Sequence, residues 1–176
     1  MLSEVDRLYI ETVKISDVPW DRLMTSHGTA KKFPQLFDEI MSSDLNRINN
    51  AITTMYEEIN YKDTIYQAAP FAMIFLVKIC KDILATKERD EITNNLLLRL
   101  LKVFIFIEES CQFYLKVYGK EYDELTDHLN KFQDMLEEEY LLPENYVLEE
   151  PNELPEECDS YIYYTHGLLL YILSSV

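Results

Sequence analysis

The chain has 176 residues, 48% of them apolar, and its 16 basic and 32 acidic side chains give a net charge of −16. That length and apolar content suffice for one sizeable core without requiring a second, so a single domain over 1–176 is expected. Three glycines and six prolines supply too few left-handed turns for an all-β fold of this size, and the acidity disfavours direct binding to nucleic acid or to an anionic membrane.

The start, Met1-Leu2-Ser3-Glu4-Val5-Asp6, has neither a basic leader nor an apolar run, so a cytoplasmic location is expected. From Phe33 the residues Leu36, Phe37, Ile40 and Met41 recur at spacings of three and one, the pattern of a short helix. Leu45, Ile48, Ile52, Met55, Tyr56 and Ile59 continue it on a longer one, with Ser43 and Asp44 as N-cap and first-turn acid. These two segments predict a helical hairpin. Thr64-Ile65-Tyr66-Gln67 has capping-box spacing and predicts a third helix to about Ala85. Within that helix Pro70 lies too deep for a first-turn proline, so a bend near Tyr66 is expected.

A fourth helix is predicted from near Glu88 to Gly119, which suits a left-handed C-terminal cap. Between Leu96 and Ile107 it is apolar on nearly every side, which places it at the centre of the stack, although Val103 to Ile107 alone reads equally as a strand. The apolar runs Ala68 to Cys80 and Leu96 to Ile107 are broken by Lys78, Arg99 and Lys102 and fall short of the ~18–20 residues of a spanning helix. A fifth helix, Glu121 to Tyr140, carries the stripe Tyr122, Leu125, Leu129, Phe132, Leu136 and Tyr140. Pro143, Pro151 and Pro155 then break an acidic stretch into irregular chain, and a last helix is expected from Ser160 to about Ser174. With no credible strand pair, the fold class read from these elements is all-α: stacked antiparallel helical hairpins in one domain.

Between Pro19 and Cys80 the chain carries Trp20-Asp21-Arg22-Leu23, His27-Gly28-Thr29-Ala30, Pro34, the Ser43-Asp44 helix start, Tyr56-x-x-Ile59 and Asp63-Thr64-x-Tyr66-x-Ala68-Ala69. In these residues it resembles a widespread group of bacterial HEAT-repeat-like proteins. That group typically has glutamine and glycine before the threonine, where this chain has Lys62 and Asp63. The resemblance implies HEAT-like hairpins over 19–80; beyond it, the residue pattern reads as long core helices over 88–140 and an acidic, proline-containing segment with a C-terminal helix over 141–176. It also implies an interaction scaffold, since some members of the group are immunity partners of secreted bacterial toxins. In the motif itself Gly28 would let a helix stop, Thr64 would cap the next, and Trp20 and Tyr66 would pack hairpin on hairpin.

Catalytic constellations are thin: there is no H-E-x-x-H, no G-x-S-x-G and no glycine-rich phosphate loop, so neither an enzyme nor a cofactor is expected. His27, before Gly28, reads as a helix-end residue and His128 as a surface histidine, while His166 has no carboxylate or thiol that the sequence can set beside it. Cys80, Cys111 and Cys158 form no C-x-x-C pair, so no disulfide framework or metal site is expected, and the first two read as buried filler.

Charge distribution is more informative than its total. After Lys131 there is no Lys or Arg, and the eleven acids from Asp134 to Asp159 hold eleven of the sixteen net negative charges. Such a field speeds encounter with a basic protein surface. Tyrosines lie among the acids, and tyrosine beside carboxylates is a common composition for a binding face. The candidate partner-binding set is therefore Glu144, Tyr146, Glu149, Glu150, Glu153, Glu156, Glu157, Asp159, Tyr161, Tyr163 and Tyr164, against the alternative of a solvated tail with its tyrosines packed inward. The leading expectation is an immunity protein binding a toxin domain with a basic surface, such as a nuclease; the other is a general helical scaffold or regulatory adaptor with no toxin partner.

Overall fold

The structure, a computed structural model, describes residues 2–121, 131–147 and 158–173. The stretch Ser3-Glu4-Val5-Asp6 opens a helix that the sequence reading missed, α1 (Glu4–Thr12). The Ser3 hydroxyl oxygen accepts from the Asp6 backbone N–H at 3.1 Å while the Asp6 carboxylate takes both the Ser3 N–H and the Ser3 hydroxyl, a reciprocal cap that satisfies orphan donors of the first turn. The other Asp6 oxygen accepts the backbone N–H of Phe132 at 2.7 Å, and with these partners a nearly fully buried carboxylate is tolerated. α2 (Phe33–Ile40) and α3 (Leu45–Ile59) pair as the expected hairpin. Asp44, not Ser43 as expected, caps α3 by accepting from the N–H groups of Asn46 and Arg47.

Two short antiparallel strand pairs replace expected helix ends. β1 (Met24–Thr25) and β2 (Gly28–Thr29) enclose a two-residue turn, Ser26-His27. Gly28 there has φ +131°, a conformation that side chains rarely adopt, so it serves a strand and not a helix stop. The Ser26 N–H donates to the Glu58 carbonyl at 2.9 Å and its hydroxyl to the Glu57 carbonyl at 2.7 Å, supplying donors that the last turn of α3 lacks. β3 (Asn60–Tyr61) and β4 (Thr64–Ile65) turn through Lys62 and Asp63, both at positive φ, as a primed hairpin turn requires.

Thr64 consequently lies in a strand and caps nothing. α4 (Ala68–Ala85) begins after it, which puts Pro70 at its third position, where a missing N–H costs no intrahelical bond; no bend near Tyr66 is needed. Gln67, expected in a capping box, is instead a buried connector. Its carbonyl oxygen accepts from the Met24 N–H at 2.9 Å, and its amide donates to the Tyr140 carbonyl at 2.7 Å.

α4 is buried along most of its length, including Phe71, Met73, Phe75 and Cys80. It packs most extensively against α6 (Cys158–Leu173), and it joins two aromatic clusters. Phe75 meets Trp20 and Phe37; Phe71, one turn earlier, meets Phe132, which also touches Tyr9 and Tyr164.

α5 (Glu91–Tyr118) starts at the Asp90 cap and stops at Gly119, left-handed with φ +63°, as its position predicts. It is not the centre of the stack. Leu96, Leu100, Val103, Phe104, Ile107 and Cys111 face the core, but Leu98 is 60% exposed and Ile105 56%, with Leu101, Phe106, Phe113 and Val117 also exposed. A helical wheel counts apolar residues without saying whether a neighbour covers the second face.

The expected helix to Tyr140 also differs. Residues 122–130 of it lie outside the described residues, and Lys131 is extended. Phe132–Leu136 is a short 3-10 turn, after which the chain runs in turns to Tyr140. With three residues per turn, Phe132 and Met135 point the same way, into the core. No helix among the described residues is long and apolar enough to cross a membrane.

Candidate protein interface

The described part of the acidic segment, 131–147, is strapped onto the first third of the chain. The Arg22 guanidinium holds Glu138 through two parallel hydrogen bonds, 2.9 and 2.5 Å, and these keep the Glu138 carboxyl below its ordinary value. Arg22 Nε also donates to the Leu142 carbonyl at 2.8 Å, while the Leu142 N–H donates to the Arg22 carbonyl at 3.0 Å. With Gln67 on the Tyr140 carbonyl, three hydrogen bonds to its backbone fix this strap against the Trp20–Leu23 segment and the start of α4. What it presents outward is Glu137, Glu139 and Glu144, then half-buried Tyr146 and a strongly exposed Val147. Asn145 makes the turn between them at φ +60°, a conformation that asparagine adopts more readily than most residues.

Of the candidate binding residues, Glu144 and Tyr146 sit on this strap. Glu149, Glu150, Glu153, Glu156 and Glu157 lie outside the described residues, as do Pro151, Pro155 and His128. Asp159 is engaged within the chain, accepting the Tyr114 hydroxyl and pairing with Lys120. Tyr161 is 2% exposed and Tyr164 1%, with Tyr163 buried beside them. Tyr164 stacks edge-on against Phe132 at 4.8 Å and against Tyr163 at 5.1 Å. These three rings therefore pack inward and offer no face to a partner, because α6 is apolar on nearly every side and is itself a core helix.

The remaining histidines are resolved by geometry. His166, buried on α6, lies with Nε2 3.2 Å from Glu108 Oε1 on α5. That hydrogen bond, against the opposing effect of burial and with help from Gln112, holds the Glu108 carboxyl below its ordinary value of 4.5. A carboxyl depressed in the folded state contributes stability that is full above its unfolded pKa and is lost as pH falls through the folded one. Thermal unfolding of Glu108→Gln and of the unmodified chain is thus expected to differ at pH 7, and the difference to shrink as pH falls below the ordinary value of 4.5. A gap that is the same at pH 7 and across the acid range would show that this carboxylate contributes nothing through its charge.

His27 sits at the β1–β2 turn, its Nδ1 2.7 Å from the Ser26 hydroxyl and 3.8 Å from Glu58 Oε2. Serine and carboxylate meet the same ring nitrogen, whereas a nucleophile relay needs them on opposite ones. Ser26 is also buried, and its hydroxyl donates to the Glu57 carbonyl. Among the described residues no group of three or more His, Cys, Asp and Glu is placed to hold a metal ion. A cleft of about 650 Å³, open to solvent, is lined by residues that include Lys14, Trp20, Asp21, Lys31 and Asp38.

Sequence reasoning missed the exposed face of α5 as a surface feature. Its signal was available: a long helix whose apolar residues fall on two opposite sides, with Lys102, Glu109, Gln112 and Lys116 between those of the outer one. Contiguous exposed apolar surface of this kind marks interaction sites. Compared with known proteins, the chain matches no family model, no curated protein and no solved structure.

Proposed function

We propose that this chain is a non-catalytic binding protein of HEAT-like architecture, acting in the cytoplasm as an immunity protein that neutralises a toxin domain by covering its basic, substrate-holding surface. The observation that carries this reading is the surplus of carboxylates after Lys131. Among the described residues chain cations answer two of them, Arg22 for Glu138 and Lys120 for Asp159, while Glu137, Glu139 and Glu144 face solvent on a strap whose backbone is held by the side chains of Arg22 and Gln67. Carboxylates held on a fixed surface steer a basic partner and lose little entropy on docking. Tyr146 and Val147 add apolar area beside them. Nucleases fit as the toxin class because they must carry positive charge to hold phosphates. The HEAT-like resemblance of the Trp20 to Ala69 motifs supports the same reading.

The test is protection of a cell that expresses the toxin-like gene adjacent to this one. The unmodified chain is expected to protect. Reversal of Glu144, Glu149, Glu150, Glu153, Glu156 and Glu157 to lysine is expected to slow association by at least about tenfold at low salt and to abolish protection. Unchanged protection would remove the acidic segment from the mechanism, and a gene neighbourhood without a toxin would favour the second reading. That reading, a scaffold or regulatory adaptor with no toxin partner, draws on the exposed apolar face of α5, which carries no net acidity.

A further inference from the structure

The outer face of α5 carries two ridges at four-residue spacing, Leu98-Lys102-Phe106 and Ile105-Glu109-Phe113, and all six side chains are exposed. The two ridges are related by reversal. A two-fold axis between Ile105 and Phe106, perpendicular to the helix, would carry Leu98 onto Phe113, Lys102 onto Glu109 and Ile105 onto Phe106 of an antiparallel mate. Each apolar position then meets an apolar one and each charge its opposite. Ridges at four-residue spacing are those that interdigitate in the commonest class of helix packing, and self-complementarity of one patch under a two-fold axis is the condition for an isologous dimer. Lys102 and Glu109 form no salt bridge with other described residues.

Charge narrows the occupant. α5 carries Glu91, Glu108 and Glu109 against Arg99, Lys102 and Lys116, a net of zero in a chain of −16. A basic partner gains least here, whereas a second copy meets its least repulsive approach. We infer that α5 is a homodimerisation face, its occupant the α5 of a second copy of this chain in antiparallel register about the Ile105–Phe106 midpoint. The inference does not depend on the toxin partner proposed above. One helix crossing falls at the small end of specific interfaces, below about 1,200 Å² in total, so the dimer is weak and reversible. Salt strengthens it, because screening over a Debye length of about 8 Å at 0.15 M relieves the repulsion between two acidic copies.

Sedimentation of the full chain from micromolar to millimolar concentration tests this. A monomer–dimer equilibrium is expected, shifting towards dimer with added salt. Ile105→Asp, at an exposed position, is expected to leave the circular dichroism unchanged and to abolish the dimer. Lys102→Glu and Glu109→Lys are each expected to weaken it by about tenfold, and the double exchange to restore it. A monomer at every concentration, a dimer indifferent to Ile105→Asp, or a double exchange that fails to restore association would overturn the proposal. So would a monomer whose Ile105→Asp variant loses a heterologous partner, which would give the face to that partner.

Discussion

Replacing Phe132 by alanine is expected to lower the free energy of unfolding by about 3–5 kcal/mol, in urea denaturation followed by circular dichroism. The ring is fully buried and is the meeting point of three elements: Tyr9 of α1 at 5.7 Å, Phe71 of α4 at 5.1 Å edge-on, and Tyr164 of α6 at 4.8 Å. Truncation removes the transfer energy of the ring and leaves a void among aromatic groups too rigid to collapse into it. The Phe132 N–H donates to Asp6, so a shift of the backbone into the void would also loosen the α1 cap. Against a total stability of about 5–15 kcal/mol for a chain of this kind, the loss would be severe. Phe132→Leu, which keeps most of the volume, should cost less than about 1.5 kcal/mol. An alanine variant within about 1 kcal/mol of the unmodified chain would mean that these three elements do not meet at residue 132.

A loss of similar size, about 3–5 kcal/mol, is expected for Trp20→Ala. Trp20 is the only tryptophan and is almost fully buried, within 5.5–5.9 Å of Phe33, Phe37 and Phe75. Its indole N–H donates to the Ile15 carbonyl at 2.8 Å. Trp20→Phe separates the two contributions, since it keeps an aromatic ring in the cluster and removes the donor; it should cost about 1–3 kcal/mol. If both variants cost the same, the hydrogen bond and not the packing carries the effect. The unmodified chain should show the blue-shifted emission of a dry indole, moving to the red on unfolding.

The helix ends that announced themselves were those marked by a cap residue. Asp44 opening α3 and Gly119 closing α5 are local chemistry, readable from a few adjacent residues. The two strand pairs escaped because two-residue strands are too short for an alternating pattern, and because Lys62-Asp63 lacks the glycine that usually marks such a turn. Misplacing the start of α4 by a few residues was enough to turn Pro70 from a permitted residue into an expected kink.

Of the candidate interface, Glu144 and Tyr146 lie at the surface, whereas for Tyr161, Tyr163 and Tyr164 the buried outcome is the alternative the sequence left open, since tyrosine suits either place. The Arg22–Glu138 clasp and the His166–Glu108 pair join residues far apart in the chain. No spacing rule reaches across such a distance.

The packing of α6 on α4 has a consequence for how the molecule is made. α4 emerges from the ribosome with apolar residues on nearly every side, and its most extensive neighbour lies more than 70 residues further on. At synthesis rates of about 5–20 residues per second, that surface waits roughly 4–15 seconds for its cover. For that interval the nascent chain presents a target for chaperones and a route to aggregation, and loss of α6 would make the exposure permanent.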